Sequence, residues 1–177
     1  VFGDMGPCGE LIQPLGTLSE QDAQAAFARQ ASALEEAGAD AILAETFESS
    51  NELNLALTAA REATSLPLLA SMKFDAQEDG KYRSVMGDAP TDLIRIAEDN
   101  EVVAVGTNCG QSIKTMSGLV EHLADLTNCP LIAQPNAGKP RLEGDQTVYE
   151  EGPEEFAAYL PALYEAGAKI IGGCCGT

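Results

Sequence analysis

Two groups of cysteines follow apolar segments that have the pattern of β-strands. Cys109 comes shortly after the apolar run 102–106, and Cys174 and Cys175 come shortly after the run 168–171. If both runs are parallel strands of one sheet, their carboxyl ends lie at the same edge, and the three sulfurs meet there. Three thiolates can hold one Zn²⁺ and leave its fourth position open, which is typical of a catalytic rather than a structural zinc site.

Such a site is suited to activating a thiol. A free thiol has a pKa of about 8.5, so little of it is thiolate at neutral pH. A thiol that enters the open position loses its proton to the metal. Because the other ligands are also sulfurs, the bound sulfur should stay nucleophilic, and the predicted chemistry is alkylation of a thiol.

A structural interpretation of the cysteines stays open beside the metal site. Free cysteines are commonly small core residues, and the sequence has no CxxC pair to support a metal site. Cys8 in the first loop and Cys129 at the start of a strand are interpreted as structural. An odd number of cysteines without an export signal favours a reducing cytoplasmic location.

The segments that would position the cysteines alternate between two patterns. Short apolar runs begin near residues 40, 68, 102, 130 and 169, and between them lie stretches with apolar residues three and four apart. The first pattern is typical of parallel strands covered on both faces, and the second of amphipathic helices. With Val1-Phe2 counted as a strand, the sequence predicts six strands and five helices in repeated βα units.

This alternation of strands and helices is α/β in class and fits part of a (β/α)₈ barrel, whose complete form takes about 250 residues. An open doubly wound sheet is the alternative, although no GxGxxG or GxxxxGK[ST] loop supports a nucleotide-binding version of it. Two long loops, 75–87 and 135–152, follow strands and therefore lie at the carboxyl edge in either architecture. The first contains Asp79-Gly80, which predicts a hairpin turn.

Length and charge exclude several classes of function. The chain has 177 residues and a formal net charge of −18, so we expect one domain, with no nucleic-acid partner and no anionic membrane partner. No apolar stretch is long enough to form a membrane helix. The single histidine, His122, excludes sites that need two imidazoles, and its place off the apolar stripe indicates a solvated position. The acidic run 143–155 is expected to be solvated, with docking of a partner domain as the alternative.

Motifs along the whole chain resemble the homocysteine S-methyltransferase family, and in particular the homocysteine-binding domain found in cobalamin-dependent methionine synthase. The motif at residues 172–177 is highly specific, and it occurs together with Asn108-Cys109. The matching stretches are Gly6-Pro7-Cys8-Gly9, residues 40–47 (DAILAETF), residues 70–74 (ASMKF), residues 105–109 (VGTNC), residues 135–140 (PNAGKP) and residues 172–177 (GGCCGT).

The resemblance implies an activity and its cofactors. Members of this family transfer a methyl group to the thiol of homocysteine and so form methionine. By resemblance, Cys109, Cys174 and Cys175 are the zinc ligands, and methylcobalamin is the expected donor. The donor would be carried by a cobalamin-binding or methyl-donor domain, or by another protein.

Three further residues match family positions near the substrate. Glu45 would pair with the ammonium group of homocysteine. The side-chain oxygen of Asn136 would approach the zinc when homocysteine is absent, and Asn108 would orient the adjacent ligand loop. The alternatives are turn roles for both asparagines and a barrel-rim charge for Glu45.

The chain departs from the family pattern at its ends. The family's first strand carries an Asp-Gly-Ala-Met-Gly-Thr-like motif, for which we find no counterpart. Residues 1–177 are therefore expected to form a single incomplete barrel domain with strands 3 to 8, lacking the first two βα units and the last helix. Two other functions stay open: a corrinoid-system methyltransferase with another thiol acceptor, and a non-catalytic partial barrel that binds zinc or a partner.

Overall fold

The computed structural model describes residues 1–177, which form ten strands and five helices. In chain order the strands are β1 (Phe2–Met5), β2 (Ala41–Phe47), β3 (Leu68–Met72), β4 (Asp75–Ala76), β5 (Tyr82–Arg83), β6 (Ala104–Ser112), β7 (Leu131–Asn136), β8 (Arg141–Glu143), β9 (Gln146–Val148) and β10 (Ala168–Ile171). The helices are α1 (Glu20–Glu36), α2 (Ser50–Ala63), α3 (Pro90–Asp99), α4 (Met116–Ala124) and α5 (Pro153–Glu165). None of these helices is both long enough and apolar enough to span a membrane.

The main sheet has six strands in the order β1-β2-β3-β6-β7-β10, and every neighbouring pair is parallel. Each strand pairs with the next main strand along the chain, and a helix connects the two. A doubly wound sheet would reverse its strand order at a switch point, and no reversal occurs here. The structure therefore confirms the α/β prediction and fits part of a (β/α)₈ barrel.

The sheet has an apolar layer on each face. The larger layer is a cluster of 33 buried residues that joins the sheet to the helices. The smaller one, on the inner face, consists of Ala41, Leu43, Leu69, Ala104 and Ile132. Side chains alternate between the two faces along a strand. Residues two or four positions after a member of this inner set therefore also point to the inner face, as long as the strand stays regular.

Helix α1 begins where its capping residue predicts, whereas helix α4 begins later than the sequence pattern predicts. The Ser19 Oγ accepts a hydrogen bond from the Asp22 N–H at 3.1 Å and begins α1, as its sequence position predicts. The apolar stripe from Ile113 to Leu126 predicts a helix over that whole range, but α4 begins only at Met116. The reason is that the Ile113 N–H donates to the Asn136 carbonyl at 3.2 Å, which extends the pairing of β6 with β7.

Both long loops fold into antiparallel hairpins. Strands β4 and β5 enclose the turn at Asp79-Gly80, as predicted, and the Lys81 N–H donates to the Asp79 carboxylate at 3.1 Å. Strands β8 and β9 form a second hairpin in the loop after β7, which the sequence pattern does not reveal. The acidic run 143–155 is thereby divided between this hairpin and the start of α5.

The helix-side layer should carry most of the stability. Leu57 on α2 is fully buried, whereas Leu142 on β8 is 77% exposed. We expect Leu57→Ala to lower the free energy of unfolding by about 2–5 kcal/mol, since it leaves a cavity in a close-packed layer. The same truncation at Leu142 should change it by less than about 0.5 kcal/mol. Urea denaturation of both variants measures the difference, and equal losses would contradict this assignment of the core.

Candidate metal centre

The end of β2 contains one extra residue relative to its neighbour. Ala44 pairs with Ala70 and Phe47 pairs with Met72, so β2 uses three steps where β3 uses two. Thr46 takes up the difference with a φ of 65°, in the left-handed region that β-branched residues seldom adopt. This bulge returns Phe47 to the helix-side layer while leaving Glu45 on the inner face.

A larger irregularity ends β6 and presents Cys109. Asn108 pairs with Gln134 and Ser112 pairs with Asn136, so two residues of β6 have no counterpart on β7. Cys109 and Gly110 both have positive φ, at 59° and 64°. A Cβ at Gly110 would lie 2.8 Å from the Phe74 carbonyl oxygen, so only glycine fits there.

The loop after β10 continues along the other edge of β7. The Cys174 N–H donates to the Pro135 carbonyl at 2.9 Å, and the Cys175 carbonyl accepts from the Ala137 N–H at 3.0 Å. Strand β7 lies between β6 and β10. The two cysteine groups, far apart in sequence, are therefore both fixed to the carboxyl end of the same strand.

The three sulfurs meet at this end of the sheet. The Cys175 Sγ lies 3.8 Å from the Cys109 Sγ and 3.9 Å from the Cys174 Sγ, and all three atoms lie within 4.8 Å of one another. In a tetrahedral site with Zn–S bonds of about 2.3 Å, two sulfurs are about 3.8 Å apart. The observed spacing therefore fits three ligands of one zinc ion, with a fourth position left for another group.

Crowding makes three ionised thiols unfavourable without a cation. Burial, followed by the charges of Cys109 and Cys175, raises the pKa of Cys174 to about 12, although a hydrogen bond from Asn108 opposes this. The pKa of Tyr149 is raised by desolvation and by the adjacent Cys175 sulfur. Tyr149 was not among the sequence-predicted residues, since nothing in its spacing links it to the cysteines. A divalent cation among the sulfurs would supply the missing positive charge.

Asn108 is fully buried and connects three strands. Its Oδ1 accepts from the Ser71 hydroxyl at 2.7 Å and from the Thr46 N–H at 3.1 Å. Its Nδ2 donates to the Thr46 hydroxyl at 2.6 Å and approaches Glu45 at 3.3 Å and the Cys174 sulfur at 3.7 Å. One amide therefore fixes the β2 bulge, the carboxylate and one cysteine relative to one another.

Asn136 lies at the end of β7 and connects the other two cysteines. Its Oδ1 accepts from the Cys175 N–H at 3.1 Å, and its Nδ2 faces the Cys109 sulfur at 3.6 Å. The sequence-based expectation has the amide oxygen approaching the metal. That expectation stays a prediction; in the structure the oxygen serves as acceptor for the Cys175 N–H, and the nitrogen faces the Cys109 sulfur.

Glu45 is half-buried on the inner face, beside the cysteines. The Gln134 Nε2 donates to its Oε1 at 3.3 Å. Burial and then the negative charge of Asp4 raise the pKa of the Glu45 carboxyl, while the bond from Gln134 lowers it. Gln134 and Asp4 are contacts that the sequence analysis missed, although both could have been placed on the inner face by strand alternation.

The remaining singled-out residues lie away from this cluster. His122 is exposed on α4, with its ring centroid 5.8 Å from that of Tyr82. Cys129 precedes β7, and its sulfur approaches the Val102 carbonyl at 3.7 Å. The backbone N–H of Cys8 donates to Glu52 at 2.7 Å. These contacts agree with a surface position for His122 and with structural roles for the two cysteines.

The cysteine cluster leads to a prediction about metal retention. We expect Cys109→Ala, Cys174→Ala and Cys175→Ala each to lose zinc on dialysis against a mild chelator, because two sulfurs hold the ion too weakly. Cys8→Ala and Cys129→Ala are matched controls that should keep one zinc per chain. Elemental analysis measures the metal content. Stoichiometric zinc in any of the first three variants would refute this ligand set.

Asn108 should matter for stability as well as for geometry. We expect Asn108→Ala to lower the free energy of unfolding by about 2–4 kcal/mol, since it leaves several buried polar groups without partners. Asn51→Ala is the matched control, because the exposed Asn51 makes only a 3.5 Å contact with Glu20. Denaturant unfolding of the two variants gives the comparison. If both are equally stable, the buried amide does not organise the site as described.

Comparison with known proteins places the chain in a family. Residues 1–177 match the family described as Homocysteine S-methyltransferase. The chain is 31% identical over 183 residues to the methionine synthase of Mycobacterium tuberculosis, covering 100% of this chain and 15% of that protein. It is 30% identical over 186 residues to the homocysteine S-methyltransferase of Escherichia coli, covering 100% of this chain and 58% of that enzyme. A selenocysteine Se-methyltransferase of Brassica oleracea var. italica is 33% identical over 154 residues, which cover 84% of this chain and 43% of that enzyme.

Solved structures agree with these sequence matches. The apo form of the homocysteine methyltransferase MmuM from Escherichia coli superimposes with a TM-score of 0.77 and 27% identity, over 99% of this chain and 58% of that one. The metallated form of the same enzyme gives a TM-score of 0.72 at 27% identity, over 90% of this chain and 48% of that one. The chain thus spans only part of the relatives that it matches. The chain belongs to the homocysteine S-methyltransferase family.

Proposed function

We propose that this chain provides the thiol-activating site for zinc-dependent transfer of a methyl group to homocysteine, which gives methionine. The observation that supports this most is the convergence of three sulfurs at the spacing of a tetrahedral zinc site, with one position left over. Family membership supplies the substrate class, because the matched family and the Escherichia coli relative are both described by homocysteine methylation.

Cys109, Cys174 and Cys175 would hold the metal. Zinc bound there supplies Lewis-acid chemistry, since it lowers the pKa of a thiol at the open position and keeps the sulfur nucleophilic at neutral pH. Asn136 fixes Cys109 and Cys175 through its two amide atoms, and Asn108 fixes Cys174. These contacts pre-arrange the sulfurs, so the chain need not reorganise when the thiol arrives.

Glu45 would hold the other end of the substrate. Its carboxylate lies on the inner face near Asn108, which also contacts the Cys174 sulfur. An ammonium group is the natural partner of such a carboxylate. With its sulfur at the cysteines and its ammonium at Glu45, homocysteine would present the sulfur to an incoming methyl group. The sulfur–methyl bond then forms as the donor–methyl bond breaks, and the bonding electron pair stays with the donor.

Methylcobalamin is the proposed donor, bound by a cobalamin-binding or methyl-donor domain outside the residues described. The similarity to mycobacterial methionine synthases and the Pro-Asn-Ala-Gly-Lys-Pro motif at 135–140 support this choice over other donors. We further propose that residues 1–177 supply strands 3 to 8 of one homocysteine-binding barrel, as the strand order and the partial coverage of the relatives suggest. A cytoplasmic location fits five cysteines that form no disulfide.

A second candidate function is methyl transfer to a different thiol or selenol. The similarity to a selenocysteine Se-methyltransferase favours it, because the acceptor differs within this set of relatives. The same three sulfurs would serve either acceptor, so the metal site does not separate the two functions. The acceptor must therefore be identified by measurement.

Isotope transfer tests both functions. Full-length protein that carries this chain is loaded with zinc and given methyl-labelled methylcobalamin together with homocysteine, selenocysteine or another thiol. We expect label in methionine, and a loss of at least about 100-fold in Cys174→Ala, because the thiol is no longer activated. Cys129→Ala is the control and should keep the wild-type rate. Preferred labelling of another acceptor would establish the second function, and zinc retention without any transfer would indicate a non-catalytic zinc-binding barrel.

A further inference from the structure

The segment between the β8–β9 hairpin and α5 is fixed beside the loop that carries two of the cysteines. The Glu151 N–H donates to the Ala137 carbonyl at 3.1 Å, and the Ala137 N–H donates to the Cys175 carbonyl at 3.0 Å. The Glu151 side chain is only 7% exposed, and its carboxylate lies 3.5 Å from the Lys114 ammonium. Residues 149–151 are therefore held in place relative to that loop.

Tyr149, the first residue of this segment, packs against the cysteine loop. Its ring lies on Gly176, where a Cβ would overlap the ring atoms, so only glycine fits. Desolvation and then a hydrogen bond with Cys175 raise the pKa of the phenol, which places the hydroxyl within reach of that sulfur. A phenol has an ordinary pKa of about 10, so at neutral pH it is an uncharged O–H donor.

Each of the three sulfurs thus has one neutral side-chain donor beside it. The pairs are Asn136 with Cys109 at 3.6 Å, Asn108 with Cys174 at 3.7 Å, and Tyr149 with Cys175. A hydrogen bond to a thiolate stabilises its charged form and lowers its basicity. Nucleophilicity falls with basicity, and a ten- to hundredfold loss of basicity slows the attack of a thiolate by about three- to tenfold.

The proposed function requires such a difference between sulfurs. In productive transfer the new sulfur–methyl bond forms on the substrate, the donor–methyl bond breaks, and the bonding electron pair stays with the donor. The same step on Cys175 would convert that ligand into a neutral methyl thioether. Because thiolates are the ligands that hold the metal, one such error would remove a ligand and inactivate the site.

We propose that the Tyr149 hydroxyl donates to the Cys175 sulfur and protects that ligand from methylation, so that the methyl group goes to the substrate sulfur. This inference rests on the proposed function and adds to it a determinant of which sulfur reacts. Tyr149 is a positioning residue, since it acts through Cys175 and contacts no reacting atom. Its ring supports the loop, and its hydroxyl adjusts the reactivity of the sulfur.

Alkylation by a small electrophile tests the proposal. Full-length protein that carries this chain is loaded with zinc and treated with methyl iodide, which methylates a sulfur as iodide leaves with the bonding pair. Tandem mass spectrometry measures the methylation rate of each cysteine, and elemental analysis measures zinc before the reaction. Tyr149→Phe keeps the ring on Gly176 and removes only the hydroxyl. Tyr159→Phe on α5, where the tyrosine is 38% exposed, is the matched control.

We expect Tyr149→Phe to keep one zinc per chain and to methylate Cys175 about three- to tenfold faster than the wild type. The rates at Cys109 and Cys174 should stay unchanged, and Tyr159→Phe should resemble the wild type. A general loosening of the loop would instead accelerate Cys174 as well, because it precedes Cys175 directly.

Three results would overturn this role while the zinc–thiol function stands. They are an unchanged rate at Cys175, equal acceleration of Cys174 and Cys175, and loss of zinc from Tyr149→Phe alone, which would make the phenol a structural support. If the wild-type protein retains no zinc, the proposed function itself fails, and the protective role of Tyr149 fails with it.

Discussion

The parallel pairing of β7 with both β6 and β10 is the constraint on which the rest of the site depends. Cys109 belongs to a strand on one side of β7, and Cys174 and Cys175 belong to a loop on the other side. Two backbone hydrogen bonds, from the Cys174 N–H to the Pro135 carbonyl and from the Ala137 N–H to the Cys175 carbonyl, fix the position of that loop along β7. A slip of one residue in either pairing would move the sulfurs by about 3.3 Å along the strand and destroy their spacing.

Two side-chain amides further fix the positions of the cysteines that the backbone brings together. Asn108 lies in the middle of β6 and Asn136 ends the neighbouring β7, and each uses its oxygen for a backbone N–H and its nitrogen for a sulfur. A neutral amide can donate to a thiolate without adding a charge of its own. The amides thus stabilise negative sulfurs while leaving a net negative charge, which the proposed metal ion and substrate ammonium would balance.

The fold could be predicted from the sequence to a considerable extent. Apolar runs and helical stripes predicted six strands and five helices, and the motif of paired cysteines predicted which loops would meet. The β2 bulge at Thr46 and the two unpaired residues of β6 could not be predicted in the same way. Hydrophobic periodicity reports which face is buried, whereas register and bulges depend on hydrogen bonds between segments distant in sequence.

The candidate site, like the fold, could be predicted from the sequence only in part. The cysteines, Glu45 and the two asparagines were identified by motif, but the orientation of the Asn136 amide was not, because it depends on a backbone N–H of a loop 39 residues away. The positions of Asp4, Gln134 and Tyr149 beside the site come from strand register and loop packing. Strand alternation can place Asp4 and Gln134 on the inner face, but it does not show which residues of other strands lie beside them there.

The left-handed backbone of Cys109 has a consequence for how this position can vary. A residue with a side chain costs about 1–2 kcal/mol in that conformation, whereas glycine adopts it freely. Selection for folding alone would therefore favour glycine at position 109, next to the glycine already present at 110. If Cys109 is the metal ligand that we propose, its sulfur is retained at a cost in stability, and Cys109→Gly would give a more stable barrel that lacks the third sulfur.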